Sequence, residues 1–170
     1  MKKLLKIFLI ILAVFIIVTP LISLTYFAVS GTSMEPTFKD GDKILVFKSA
    51  YLFGKPQRGD LILLRADNKT WVKRIVALPG EQIEIKDGKV SINGKVLQES
   101  YIKEIHTYGD QRVFLADDQY YVLGDNREPN QSIDSRILGP IIKKAVLGKV
   151  IANLTPNFRF LKPQLYKLGE

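Results

Sequence analysis

The chain has 170 residues, which is enough for one apolar segment and one globular domain but too few for two full domains after such a segment. The formal charge is +8, yet three of the lysines fall within the first six residues and those of the C-terminal stretch alternate with apolar residues, so nucleic-acid binding is disfavoured. Cysteine is absent and His106 is the single histidine, which excludes disulfides and cysteine nucleophiles and disfavours metal sites and Ser/His/Asp triads.

An uncharged segment extends from Ile7 to Met34, and residues 7–18 within it are all apolar. About 20 predominantly apolar residues are enough for a helix to cross a bilayer. The sequence therefore predicts one transmembrane helix, a membrane anchor over residues 7–29.

The charges that flank this segment predict its orientation. Lysines precede it and Glu35 is the first charge after it, so the positive-inside rule places residues 1–6 in the cytoplasm and residues 30–170 outside the plasma membrane. A cleavable signal peptide is the alternative, because Ala28-Val29-Ser30 has the small-x-small form of a cleavage site. The length of the apolar run favours a retained anchor.

The rest of the chain shows short strands and turns, without a long stretch of helical periodicity. Asp87-Gly88 and Asn93-Gly94 can both supply the positive φ angles of tight hairpins. We therefore predict one mainly β domain with antiparallel pairing. The predicted strands, rich in β-branched and aromatic residues, are 43–47, 60–64, 71–78, 82–85, 90–92, 112–115, 120–123 and 145–152.

Ser33 lies in the turn-forming sequence 31–36, directly after the predicted anchor. The glycine at its start and the Met-x-Pro step shape a loop on which a hydroxyl can project and a backbone amide can point at an oxyanion. For any serine taken alone, an ordinary surface turn is the commoner explanation. Other residues must therefore decide whether Ser33 is a nucleophile.

Lys73 belongs to the predicted strand 71–78, where it shares a face with Trp71, Ile75 and Ala77. A free lysine is almost entirely protonated at neutral pH, but burial disfavours the ammonium and lowers the pKa. A buried Lys73 could then take a proton from a serine. The alternative is a lysine that extends its ammonium to water or to a carboxylate. The lack of a usable histidine favours the catalytic interpretation.

A polar loop, 124–136, follows the predicted strand 120–123. Its density of Gly, Asp, Asn, Ser and Arg predicts a rigid loop held by hydrogen bonds between side chains and backbone. Asp134 and Arg136 could brace it as an ion pair. A solvated loop is the alternative, as is a pair of carboxylates for glycosidase or metal chemistry, but the arginines in the loop disfavour a cation site.

The sequence resembles bacterial type I signal peptidases of the short, single-span kind typical of Gram-positive bacteria. The resemblance covers nearly the whole chain, to about Leu147. It implies an antiparallel β catalytic domain of the signal-peptidase type preceded by one N-terminal transmembrane helix, with a small accessory lobe at about 80–118. The motifs that carry it, in order, are 31–37, Gly59-Asp60, 72–75 with Leu78-Pro79-Gly80, and 124–127 with Ser132-x-Asp134-Ser135-Arg136.

The resemblance implies a membrane-bound serine endopeptidase that removes N-terminal signal peptides from exported preproteins through an acyl-enzyme. Ser33 would be the nucleophile and Lys73 the general base, with no metal or cofactor. The expected partners are signal peptides, membrane lipid and the secretion translocon. The residues implied as supports are Ser132, which would hydrogen-bond the lysine, and the ion-pair network of Asp134, Arg136 and Arg74.

Two departures from the family concern the surroundings of Ser33. The Ser33 amide would be one oxyanion donor, but Gly31 stands where some members have a serine hydroxyl as the second donor. The loop 128–131 is about two residues longer than the family pattern. The pocket for small substrate side chains is expected to be lined by Val29, Met34, Phe38, Trp71 and Val72.

Two other functions remain open. Self-cleaving repressors of the bacterial DNA-damage response share a Gly-x-Ser-Met turn and a Val-Lys-Arg strand, but they carry an N-terminal DNA-binding domain and lack the Gly-Asp-Asn-Arg block. A non-catalytic member of the signal-peptidase family could bind preproteins at the membrane without cutting them. The intact Ser33 and Lys73 favour the enzyme.

Overall fold

The computed structural model describes residues 2–102, 106–162, 164 and 166–168, and the side chains of 15–22 and 167–168 lie outside this description. Within these residues, helix α1 precedes thirteen strands, which pair antiparallel in two sheets, so the predicted mainly β fold is confirmed. The elements are α1 Lys2–Ile22, β1 Leu24–Ala28, β2 Lys43–Phe47, β3 Leu61–Ala66, β4 Lys69–Ala77, β5 Gln82–Lys86, β6 Lys89–Ile92, β7 Lys95–Gln98, β8 Gln111–Phe114, β9 Gln119–Leu123, α2 Ser135–Leu138, β10 Ile141–Ile142, β11 Val146–Asn153, β12 Arg159–Phe160 and β13 Lys167–Leu168.

Helix α1 ends before the predicted end of the anchor. The helix stops at Ile22 and β1 begins at Leu24, so the predicted segment 7–29 is divided between a helix and a strand. Strand β1 pairs with β2 along its whole length, so the backbone groups on that side find their hydrogen bonds in the sheet. In the part of the chain that the structure describes, no helix combines the length and the apolar character needed to cross a bilayer.

The larger sheet has the order β1-β2-β11-β3-β4-β9-β10, with β12 paired to β11. Both of its faces are covered at β3, where Leu61 and Leu63 pack in one cluster with Met34, and Ile62 and Leu64 pack in a second cluster. Successive side chains of a strand point to opposite faces. Residues 61–64 of β3 are therefore all apolar. Strand β4, which is paired with β3, lies between the same two packed layers.

The smaller sheet has the order β13-β7-β6-β5-β8, and its strands β5 to β8 fall within the range 80–118 of the predicted accessory lobe, of which residues 103–105 lie outside the described part. Its two hairpins turn at Asp87-Gly88 and Asn93-Gly94, where all four φ angles are positive, as predicted. A third tight turn, Asp67-Asn68, also has positive φ angles and joins β3 to β4. This last turn brings the start of β4 back beside β3.

Candidate active site

Ser33 lies in the segment between β1 and β2. The N–H of Glu35 donates to the carbonyl of Thr32 at 3.0 Å, which closes a turn around the serine. Gly31 has a φ of 86°, in the region that favours glycine, and its N–H donates to Asp40 Oδ1 at 2.7 Å. The local sequence thus bends the chain on both sides of Ser33.

Lys73 on β4 meets Ser33 directly. Its Nζ donates to Ser33 Oγ at 2.8 Å and to the carbonyl oxygen of Val72 at 3.0 Å. Lys73 is only 1% exposed, and burial lowers its pKa to about 8, although the charges of Asp134 and Asp125 favour the ammonium. An amine with this pKa is partly neutral near neutral pH and can accept a hydroxyl proton.

Arg74, the next residue on β4, forms a buried ion pair with Asp125. Its Nε and Nη2 donate to the two carboxylate oxygens at 2.8 and 2.6 Å. This partner differs from the predicted network of Arg74 with Asp134 and Arg136. The register of β4 against β9 places Arg74 opposite Leu123, directly before the polar loop, and so beside Asp125.

Asp134 and Arg136 form a second, separate ion pair, in which Arg136 Nε and Nη2 donate at 2.9 and 2.8 Å. The N–H of Gly124 also donates to Asp134, at 2.9 Å. Burial alone would raise the pKa of Asp134, but the hydrogen bonds and charge of Arg136 outweigh it and lower the pKa. Asp134 also caps α2 by accepting from the N–H of Arg136.

Ser132 is buried, and its hydroxyl interacts with the carboxylate of Asp134, whose pKa it helps to lower. The predicted hydrogen bond to Lys73 is not present; the lysine Nζ donates to Ser33 and to the carbonyl of Val72. A Cβ added at Gly124 would lie 2.3 Å from Ser132 Oγ and 2.4 Å from the carbonyl oxygen of Ser33. The Ser132 hydroxyl therefore adjoins the backbone of Ser33.

Asn126 ties the polar loop to the turn around Ser33. Its N–H donates to the carbonyl of Ser33 at 3.1 Å, and its Nδ2 donates to the carbonyl of Thr32 at 3.2 Å. Within the described part of the chain, the N–H of Ser33 itself donates no hydrogen bond. The contiguous Gly-Asp-Asn-Arg motif was the sequence signal for this loop, but it did not single out Asn126.

A cavity of about 450 Å³ opens beside Ser33, between β1 and β4. Four predicted pocket residues, Val29, Met34, Trp71 and Val72, line it. Phe38 does not line it, because this side chain is fully buried and packs in the same core cluster as Met34. Sequence reasoning missed the rest of the wall, whose strand residues carry no chemical signature; these are Phe27, Ala28, Ser30, Leu63, Lys69 and Thr70.

Comparison with known proteins identifies the family of this chain. The family model described as "Signal peptidase, peptidase S26" matches residues 1–155. The chain belongs to the signal peptidase family. The resemblance seen in the sequence motifs is thereby confirmed, and the fold is the antiparallel β fold of signal peptidases.

Individual signal peptidases align over most of this chain. Signal peptidase I of Bacillus licheniformis is 38% identical over 135 residues, which are 72% of this chain and 72% of that protein. A probable signal peptidase I-2 of Synechocystis is 36% identical over 136 residues, 75% of this chain but only 62% of that protein. A crystal structure of a signal peptidase I from Enterococcus faecalis is 32% identical, with a TM-score of 0.50 over 56% of this chain and 96% of that chain.

Proposed function

We propose that this signal-peptidase family member is a membrane-bound serine endopeptidase that removes N-terminal signal peptides from exported preproteins. Ser33 is the nucleophile and Lys73 the general base. The observation that carries the proposal is the 2.8 Å contact between Lys73 Nζ and Ser33 Oγ, made by a lysine whose burial lowers its pKa to about 8. Membership of the family supports the class of substrate.

Acylation begins with the neutral form of Lys73. As Ser33 Oγ attacks the scissile carbonyl carbon, its proton passes to Lys73 Nζ and the carbonyl oxygen becomes an oxyanion. The N–H of Ser33 is available to donate to that oxyanion. When the C–N bond breaks, the Lys73 ammonium protonates the leaving amine, and the signal peptide remains on Ser33 as an ester.

Deacylation repeats the sequence with water. Neutral Lys73 takes a proton from the water whose oxygen attacks the ester carbonyl, and the proton passes to Ser33 Oγ as the ester C–O bond breaks. The transient ammonium is favoured by the negative charges of Asp134 and Asp125. These carboxylates therefore support each proton transfer to Lys73, while burial ensures that the lysine can return to its neutral form.

Ser132 is assigned to orienting the lysine. Its buried hydroxyl interacts with the carboxylate of Asp134 and adjoins the carbonyl of Ser33. Once Ser33 is acylated, its Oγ is part of an ester and the Lys73 amine loses that contact. The Ser132 hydroxyl can then accept a hydrogen bond from Lys73, which keeps the amine close to the ester.

The two ion pairs are assigned to holding the polar loop. Arg74 binds Asp125 inside the loop. The pair of Asp134 with Arg136 binds the N–H of Gly124, at the beginning of the same loop. Both pairs are buried or nearly so, which makes them rigid supports but also makes the loss of either partner costly.

The cavity beside Ser33 is the proposed site for the residues that precede the cut. Its wall includes the apolar side chains of Val29, Met34, Trp71 and Val72. A cavity of about 450 Å³ with such a wall suits small apolar side chains, such as those of an Ala-x-Ala sequence. Strand β1 is an edge strand, so an extended substrate can pair with free backbone groups beside the cavity.

We further propose that α1 lies in the plasma membrane, with residues 1–6 in the cytoplasm and the β domain outside. The support comes from the lysines that precede the uncharged segment and from exposed apolar side chains along the helix, such as Ile7, Phe8 and Ile10. The end of the helix moves the proposed anchor boundary from 29 to Ile22. Signal peptides, membrane lipid and the secretion translocon are then the partners.

The test is cleavage of a purified precursor with an Ala-x-Ala site by the full, detergent-solubilised chain. The parent should cut after the second alanine, and Ser33→Ala should not cut. Ser91→Ala, on strand β6 of the smaller sheet, is the matched control and should cut at the parent rate. A parent that binds the precursor without cutting it would favour the non-catalytic alternative. Resistance of the parent to extraction from membranes by alkaline carbonate tests the anchor.

A further inference from the structure

Arg127 is a buried cation to which the proposed mechanism gives no role. All five of its N–H donors have acceptors. Its Nε donates to the carbonyl of Gly124 at 2.8 Å, its Nη1 to Glu99 at 2.8 Å and to Thr107 Oγ1 at 2.9 Å, and its Nη2 to Glu99 and to Tyr101 Oη. Because a buried arginine is tolerated only when it is paired and hydrogen-bonded, these contacts fix the side chain in one position.

Glu99 and Tyr101 reach Arg127 from the smaller sheet, since both follow β7. The Glu99 carboxylate is buried in this ion pair. The ring of Tyr101 lies between two arginines, with its centroid 4.0 Å from Arg74 Cζ and 6.0 Å from Arg127 Cζ. The segment 99–101 therefore contacts both arginines that bind the polar loop.

The loop held in this way contacts the backbone of the nucleophile. Gly124, whose carbonyl accepts from Arg127, leaves room for the carbonyl of Ser33, because an added Cβ would lie only 2.4 Å from that oxygen. The N–H of Asn126 donates to the same oxygen at 3.1 Å. A shift of the loop would therefore shift Ser33 relative to Lys73, which is held separately on β4.

We infer that Glu99, through its ion pair with Arg127, is a positioning residue for Ser33. The inference rests on the proposed function, because positioning matters only if Ser33 reacts. Neither Glu99 nor Arg127 lines the cavity beside Ser33. The pair should therefore affect the rate of the chemical step and leave substrate binding nearly unchanged.

The double variant Glu99→Gln/Arg127→Gln tests the pair without changing the net charge. It replaces the buried carboxylate with an isosteric amide and the buried guanidinium with a shorter, neutral amide. We expect kcat to fall about 10-fold to 100-fold and KM to stay within about twofold. The matched control is Glu84→Gln/Arg112→Gln, which removes an exposed ion pair of the same sheet and should keep parent values.

Tyr101→Phe is a second variant in case the double variant does not fold. It removes only the hydroxyl that contacts Glu99 and Arg127 and keeps the ring between the arginines. We expect a smaller loss of kcat, about threefold, again with KM nearly unchanged. Thermal unfolding of each variant, followed by circular dichroism, shows whether the protein used in the assay is folded.

The absence of cysteine provides a readout that does not depend on cleavage. Ser33→Cys introduces a single thiol beside Lys73, and the pH dependence of its alkylation by iodoacetamide gives its pKa. A nearby ammonium lowers a thiol pKa below the ordinary value of about 8.5. With the double variant, we expect the thiol pKa to rise by about one unit as the turn moves from Lys73. Tyr101→Phe should raise it less, and the control pair should not change it.

Two results would overturn the inference. In the first, the folded double variant keeps both the kcat and the thiol pKa of the parent. If the double variant does not fold, the same result in Tyr101→Phe has the same meaning. The other is a fall in kcat with an unchanged thiol pKa, because Ser33 would then still be correctly placed against Lys73. If the parent chain did not cleave the precursor at all, the proposed function would fail, and the thiol measurement would still decide whether the pair positions Ser33.

Discussion

Lys73 Nζ lies 2.8 Å from Ser33 Oγ, although the two residues are 40 positions apart in the sequence and belong to a strand and a turn. Strand β4 is fixed between β3 and β9, and the turn is fixed by the polar loop that follows β9. The proposed nucleophile and base are therefore held by different parts of the larger sheet. This arrangement leads to separate predictions for the lysine, for its protonation and for the loop.

Replacement of Lys73 by arginine should abolish cleavage even though it keeps a positive charge. A guanidinium is not deprotonated in proteins and cannot accept the proton of Ser33. We expect kcat/KM to fall about 1,000-fold or more in the precursor assay. The exposed strand lysine Lys86 offers the matched control, Lys86→Arg, which should retain parent activity. If the activity of Lys73→Arg were within about tenfold of the parent, Lys73 would not be the general base.

The activity should rise with pH up to the pKa of Lys73, which burial lowers to about 8. The base must be neutral, so kcat/KM should increase about tenfold per pH unit below pH 8 and level off above it. The measurement is a set of initial cleavage rates from pH 6 to pH 9.5 at constant ionic strength. A maximum below neutrality would contradict a lysine base.

Replacement of Lys73 by methionine should stabilise the protein at pH 7 while it removes activity. The pKa of Lys73 is about 8 in the folded protein and has its ordinary value of 10.5 in the unfolded chain, so the unfolded chain binds this proton more strongly. The charged lysine therefore costs about 3 kcal/mol of unfolding free energy below pH 8, and this cost disappears as the pH rises to 10.5.

Urea denaturation of the detergent-solubilised protein at pH 7 and pH 10 measures this effect. The gain from Lys73→Met should be largest at pH 7 and mostly absent at pH 10. Lys86→Met, at an exposed position, should change the unfolding free energy by less than about 0.5 kcal/mol. If Lys73→Met lowered the unfolding free energy at pH 7, the buried charge of Lys73 would not carry the expected free-energy cost.

Loss of Arg74 should destabilise the protein strongly. Arg74→Ala leaves the carboxylate of Asp125 buried without its main partner, and we expect a loss of about 3–5 kcal/mol. The control Arg112→Ala breaks an ion pair whose arginine is 65% exposed and should cost about 1 kcal/mol or less. Equal losses of unfolding free energy in the two variants would contradict the proposed burial effect.

A single methyl group at Gly124 should disturb the nucleophile. In Gly124→Ala the Cβ would lie 2.4 Å from the carbonyl oxygen of Ser33, and backbone cannot move aside as a flexible side chain can. We expect a fall in kcat of about 100-fold. Gly54→Ala has open space around the new Cβ and should behave as the parent in the same assay. If Gly124→Ala kept the activity of the parent, the turn around Ser33 would be able to move without a loss of catalysis.

The sequence predicted eight of the thirteen strands that the structure describes from local signals, and the family resemblance implied the pairing of Ser33 with Lys73. Alternating β-branched residues mark the strands, and an apolar strand face marks a lysine that will be buried. Strand β1 was not predicted, because Leu24–Ala28 is as apolar as the helix before it. Only its pairing with β2, which lies beyond the turn of Ser33, separates the strand from the helix.

Apart from the pair of Asp134 with Arg136, the partners of the charged residues could not be predicted from the sequence. Asp67 is the aspartate nearest to Arg74 in the sequence, but the register of β4 on β9 decides that Arg74 binds Asp125. Glu99 carries no motif and reaches Arg127 only because the smaller sheet folds back against the polar loop. The family resemblance placed Phe38 in the pocket, but its side chain packs in the hydrophobic core.

With α1 as the proposed membrane anchor, the junction between α1 and β1 would limit where Ser33 can act. Only Ser23 separates the two elements, and Ser33 follows the end of the helix by eleven residues. Even a fully extended chain of that length spans at most roughly 40 Å, and β1 cannot lengthen because it is paired along its whole length. With α1 in a bilayer, Ser33 has a short fixed reach above the lipid. Peptide bonds carried beyond that height on a long or folded precursor would escape cleavage, whatever their sequence.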